Sequence, residues 1–193
     1  MIALCQPTGM TVAEFQDWQP DRHADRRWQL MDGVPVCMAP ASDNHGRIVA
    51  ETTFLLTSHL RVARPGCDVV VAPGVVPPVR SITNERIPDI GVTCAPPAGG
   101  RTMTAPLLLV EVLSPSNETI TRGNVWAYFT IPSVREILLL GSLAIAGELM
   151  RRGADGEWPE APAFLRGDDD LELASIGFRA TLRSLYRTTN LID

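Results

Sequence analysis

The sequence predicts an α/β (α+β) domain, a mixed β-sheet flanked by helices, carried by one chain of 193 residues. Three observations predict it. Leu107 to Leu113 is an apolar run broken only by Glu111, which is how a strand covered on both faces reads. Ile48, Thr52, Leu55, Leu56 and Leu60 recur at helical spacing and give one apolar stripe. Asp32-Gly33 stands between two short apolar runs, the strongest short-range hairpin signal.

In chain order, Thr11 with Glu14 three residues later forms a capping box and opens a helix at 11–15. An arginine-rich bend at 21–27 follows, then the hairpin of 28–31 and 34–38 around Asp32-Gly33. Ser42 and Asp43 offer caps for the long helix, which runs through about Arg61. From Cys67 the period changes to that of strands: 68–72, then Val75-Val76, which Pro73, Pro77 and Pro78 push to an edge. Residues 87–94 read as another strand, and 95–104 as turns before the apolar run. Ser114 to Glu118 suits a helix start, with Glu118 favourable in the first turn, and that helix ends near Ile131-Pro132. Residues 136–140 return to strand, 145–151 are hairpin-like, 153–173 form an acidic loop region, and a terminal helix starts near Phe178. No repeat or low-complexity linker divides the chain, so residues 1–193 are read as a single domain.

Composition narrows the chemistry. All 17 basic residues are arginines, so phosphate loops and Schiff-base reactions that need a lysine are closed to this chain. The formal charge of −5 argues against a generic nucleic-acid binder, but it is unevenly spread. Residues 153–173 carry seven acids against Arg166 alone, leaving a body with 15 acids and 16 arginines. No apolar run approaches the roughly 18 residues of a membrane span, and the N-terminus lacks the pattern of a signal peptide. Cys5, Cys37, Cys67 and Cys94 are spaced for neither a zinc knuckle nor a dense disulfide frame, so the expected compartment is a reducing cytoplasm.

Two acids sit where an acid is costly. Glu111 interrupts the apolar run, and Asp89, after Pro88, starts another apolar strand. Each must be hydrogen-bonded, paired with an arginine or bound to a cation, because desolvating a lone carboxylate costs several kcal/mol. If their strands are neighbours, both can face one cleft, and two close carboxylates without a lysine suit a hard divalent cation such as Mg²⁺. Taken singly, each reads more readily as a structural acid satisfied by an arginine or by backbone amides; the pair brings the metal reading level with it.

These residues also carry a resemblance. Trp-Gln-Leu-Met-Asp-Gly (28–33), Ala-Pro-Ala-Ser-Asp-Asn-His (39–45), Ile-Pro-Asp-Ile-Gly-Val (87–92), Val-Glu-Val-Leu-Ser-Pro-Ser-Asn (110–117) and Ala-Tyr with Ile-Pro-Ser-Val-Arg-Glu (127–136) follow in order. The chain resembles the Uma2 family, once a domain of unknown function, whose members resemble restriction endonucleases of the PD-(D/E)xK fold. The resemblance spans residues 11–189. It implies a DNA endonuclease using Mg²⁺, or Mn²⁺ in its place, with Asp89 and Glu111 as metal ligands and the Val112 carbonyl as a third. It adds Gln29 and His45 to the site, His45 as a contact for phosphate or for a water on the metal. Gln29 stands where the family usually has an acid. The nuclease lysine, two residues after the second acid, is replaced by Leu113, and the following helix holds none between Arg122 and Tyr128. An arginine does not substitute as a base. Two readings therefore stand: a Mg²⁺-dependent endonuclease, weak or silent, and a nuclease-fold module that binds DNA or a protein partner without cutting. Homodimerisation would suit a double-strand cutter.

The remaining candidates have plainer readings. His45 can equally pack as a helix-terminus residue against the hairpin, and His23 and His59 are read as surface or core residues. Arg179, Arg183 and Arg187 fall four apart on the expected terminal helix, as its solvated face rather than a phosphate contact. Trp126 and Tyr128 are read as packing on the sheet rather than stacking on a base.

Overall fold

The computed structural model describes residues 9–22 and 27–192. Helix α1 (Val12–Arg22) opens the described chain. Its capping box is formed: Thr11 N–H and Oγ1 donate to Glu14 Oε2 at 2.7 and 2.8 Å, and Glu14 N–H donates to Thr11 Oγ1 at 3.2 Å. Strands β1 (Trp28–Met31) and β2 (Val34–Cys37) make the expected hairpin. Asp32 and Gly33 both take positive φ, at 49° and 83°, which is the conformation Asp-Gly supplies to a two-residue turn. Helix α2 (Asp43–Ala63) is capped by Ser42, whose hydroxyl accepts from His45 N–H at 3.2 Å.

Strands β3 (Asp68–Val71), β4 (Ile90–Thr93), β5 (Pro106–Leu113), β6 (Glu136–Gly141), β7 (Ala146–Arg151) and β8 (Ala163–Arg166) form one six-stranded sheet in that spatial order. Only β5 and β6 are parallel, so their link is the crossover that carries helix α3 (Glu118–Phe129). Strand β5 alternates between two cores. Leu108, Val110 and Val112 pack toward Ile48, Leu56 and Leu60 of α2. Leu109 packs toward Val125 and Tyr128 of α3. The sheet is thus covered on both faces, which explains the unbroken apolar run. Among the described residues no helix is long and apolar enough to cross a membrane.

The structure corrects five expectations. Residues 153–173 are not a loop throughout: they hold β8 and β9 (Asp170–Leu173), because Leu171 and Leu173 alternate into the core between solvated acids. The terminal helix is instead β10 (Phe178–Thr181), paired with β9, followed by a short 3₁₀ helix at Leu182–Tyr186. Its three arginines therefore share no helical face, and each finds its own acid: Arg179 with Glu172, Arg183 with Asp168, Arg187 with Glu51. Val75 makes only an isolated bridge, to Arg86. Finally, Cys67 and Cys94 are joined in a disulfide, since the β3–β4 register sets Asp68 opposite Thr93 and so brings the flanking cysteines together. Cys5 and His23 lie outside the described residues, as do positions 23–26 of the arginine-rich bend.

Candidate functional site

Asp89 immediately precedes β4. The β4–β5 register pairs Ile90 with Val110, so one step outward Asp89 stands across from Glu111. Both acids are buried, at 4% and 3% exposure. They line one cleft of about 100 Å³ together with Gln29, His45 and Asn124. The two acids singled out by the sequence are thus brought to one cleft, Glu111 on β5 and Asp89 just ahead of β4.

Each carboxylate is held by backbone amides or by His, Tyr and Asn side chains. Asp89 Oδ2 accepts from Val112 N–H at 2.8 Å, and Oδ1 lies 3.0 Å from His45 Nε2. Glu111 Oε1 accepts from the Tyr128 hydroxyl at 2.7 Å and from Asn124 Nδ2 at 3.4 Å. The same Asn124 amide donates to Gln29 Oε1 at 3.1 Å. Burial, and then the charge of Asp89, push the Glu111 carboxyl up to about 8. Burial and the charge of Glu111 push the Tyr128 phenol well above its ordinary range, so it serves as a donor.

A second buried glutamate shows what a structural acid looks like in this fold. Glu136, at the start of β6, accepts from Arg151 Nε at 2.6 Å, from the Ala174 and Ser175 N–H groups at 3.0 and 2.9 Å, and from the Ser175 hydroxyl. Its charge is neutralised and its oxygens are filled. No arginine is hydrogen-bonded to Glu111 among the described residues: Arg27, which lines the cleft, is exposed, and the buried Arg86 acts by charge on Tyr128. Among the described residues no group of three or more His, Cys, Asp or Glu side chains is gathered as a metal cluster. A cation here would rest on two carboxylates and neutral oxygens, and an all-oxygen set suits a hard ion.

His45 bonds Asp89 through Nε2 and lines the same cleft as both acids and the hairpin's Cys37. Val112 serves Asp89 through its amide, while its carbonyl accepts from Asn117 Nδ2 at 3.4 Å. His59 bonds the Ile176 carbonyl, away from the cleft. Trp126 does not pack on the sheet: it is 72% exposed, because the face of α3 toward the core is taken by Asn124, Val125 and Tyr128. The sequence reading missed Asn124 and gave Tyr128 no polar role. The available signal was their i, i+4 spacing on the helix that crosses over from the acid-bearing strand, which puts both on one face.

The model of a family named Uma2, described as "Putative restriction endonuclease", matches residues 12–183. A curated protein of Synechocystis sp., described only as uncharacterized, is 30% identical over 181 residues and the match covers 92% of each chain. A crystal structure from Anabaena variabilis, described as a putative nuclease belonging to DUF820, superposes with a TM-score of 0.71 over 92% of this chain and 98% of that one. At 14% identity that likeness speaks for the fold.

Proposed function

We propose a nuclease function from one premise: the chain belongs to the Uma2 family. The reading is a Mg²⁺-dependent endonuclease that hydrolyses phosphodiester bonds in DNA. The observation that carries it is the pair of buried carboxylates, Asp89 and Glu111, set across from each other in one cleft, with no arginine hydrogen-bonded to either among the described residues. A net charge of about −2 in a closed site is unstable unless one acid stays protonated or a cation enters.

Restriction endonuclease-like families generally use divalent metals, and the donor set fits one. Asp89 and Glu111 would hold Mg²⁺ or Mn²⁺, with the Val112 carbonyl as a third oxygen. Such an ion supplies charge for the scissile phosphate and acidifies a water. The chain's own groups do the rest. Tyr128 and Asn124 fix Glu111 Oε1, and the Asp89 backbone amide also bonds this carboxylate, which orients it toward the cleft. His45 and the Val112 amide orient Asp89. Gln29, held by Asn124, adds a neutral carbonyl where the family usually has an acid.

A second reading, a binding module without catalysis, is favoured by Leu113. It shares the Glu111 face of β5 but packs on the apolar cluster under α3, so no ammonium stands beside the acids. Two measurements decide. Mg²⁺ or Mn²⁺ should raise the melting temperature of the wild type and not of Asp89→Ala; an equal shift in both places the ion elsewhere, for instance at Asp168 to Asp170. With Mg²⁺, wild-type cleavage of DNA should be slow or absent, and Leu113→Lys, alone or with Gln29→Glu, should raise it in a protein checked to be folded. A folded, Mg²⁺-binding double variant that never cuts would support the binding module.

A further inference from the structure

We infer that the Asp89–Glu111 cleft takes a single nucleic-acid strand rather than the side of a duplex, an inference that rests on the nuclease reading above. The first ground is access. Both carboxylates are almost fully covered, and the cleft over them holds about 100 Å³, room for a few waters or one phosphodiester group. A duplex carries its phosphates on the outside of a convex rod. To bring one to an acid recessed beneath the surface, every wall around that acid must stand clear of the neighbouring backbone. Here the segment after β2 (Met38 to Ala41) and the turn before α3 (Ser114, Ser116, Asn117) line the cleft together with both acids, which are themselves almost fully buried. A single strand is narrower and can bend into such a slot.

The second ground is the chemistry of the wall. Met38, Pro40 and Ile120 present apolar surface toward the acids. An unpaired base has an apolar face to lay against them, whereas a duplex keeps its bases stacked inside and offers phosphate and sugar. The third ground is charge. Gripping a duplex calls for several cations along the phosphate rows. Among the residues lining the cleft the one arginine is Arg27. The cleft is therefore built to hold one nucleotide by its base face and its phosphate, and it lacks the means to hold a double helix.

The test compares a fluorescein-labelled single strand of about twelve nucleotides with the same strand annealed to its complement. Binding to the wild type is followed by fluorescence anisotropy with Mn²⁺ present and over a range of salt. The single strand should bind about tenfold or more tighter than the duplex, and lose less affinity with salt than a phosphate-gripping protein does. Ile120→Glu, a change on the half-exposed face of α3 that the fold tolerates, should remove that binding, while Trp126→Ala, on another face of the same helix, should leave it. Duplex binding equal to or tighter than the single strand overturns the inference and leaves the nuclease reading in place. So does single-strand binding that Ile120→Glu does not alter. Failure of either form to bind, in a protein that still binds Mn²⁺, removes the nuclease reading and the inference with it.

Discussion

Glu111→Gln should stabilise the cation-free protein, the opposite of what replacing a satisfied buried acid does. Burial and Asp89 push the Glu111 carboxyl up to about 8, from an ordinary value of 4.5. A folded-state value above the unfolded one means that the folded protein holds the proton more tightly. The stability this gives is fully present below about 4.5 and is lost as pH rises toward 8. At pH 7 the loss spans about 2.5 units, and at about 1.4 kcal/mol per unit it is of order 3 kcal/mol, an upper figure. Glutamine has no such dependence and keeps an oxygen for Tyr128, giving back part of the gain through one less suitable contact toward Asp89. The net expectation is about 1–2 kcal/mol of stabilisation at pH 7–8, seen as a rise of roughly 2–8 °C in melting temperature.

The assay is thermal or urea unfolding in chelator from pH 5 to 9. Wild type should lose stability across that range relative to the variant, and the curves should converge at the acid end. Glu136→Gln is the control: it leaves the Arg151 guanidinium without its partner and should cost about 3 kcal/mol. If Glu111→Gln is also destabilising by more than about 1 kcal/mol at pH 8, Glu111 is a satisfied structural acid, and the case for a cation site loses its base.

Three further outcomes follow from the same network. Tyr128→Phe removes the 2.7 Å donor to Glu111 and should weaken Mg²⁺ binding about tenfold by calorimetric titration, with the fold retained because the ring stays. The melting shift produced by Mg²⁺ should grow from pH 6 to 9, since the ion must displace the raised Glu111 proton; a shift independent of pH would exclude Glu111 as a ligand. Reducing the Cys67–Cys94 disulfide, which closes a loop of sequence separation 27, should cost roughly 3 kcal/mol by chain entropy, and Cys67→Ser should lose the same amount whether or not reductant is present.

What the sequence made legible were features whose cause is local. The capping box at Thr11, the Asp-Gly turn and the Ser42 cap each form because a few adjacent atoms satisfy one another. Strand β5 was legible because burial on both faces leaves a continuous apolar run. The C-terminal third was not, because β9 and β10 are four residues each and their acids and arginines hide the alternation of Leu171 and Leu173. Arg179, Arg183 and Arg187 match a helical spacing only by coincidence, and the pairing with β9 outweighs that pattern. At the site, the two acids announced themselves by sitting in apolar strands. Their partners did not, since His45 and Tyr128 meet them only through α2 and α3 packing on opposite faces of the sheet.

The contrast between Glu111 and Glu136 bears on Gln29 as well. Two buried carboxylates already oppose each other here, and an acid at position 29 would be a third, reached by the one Asn124 amide that now serves both Gln29 and Glu111. No arginine is hydrogen-bonded to Gln29 or Glu111 among the described residues, so a third charge would be eased by an ion or by a second proton taken up. With glutamine in that place the empty cleft needs a single proton, on Glu111, to remain folded at neutral pH. Glutamine at position 29 therefore favours a protein that is stable with no ion bound, and it would weaken the pull on one. Gln29→Glu alone should then reverse both properties together: lower stability in chelator, and a larger melting shift on adding Mg²⁺. A variant with lower stability and no larger shift would place residue 29 outside the reach of the ion and leave it a packing residue of β1.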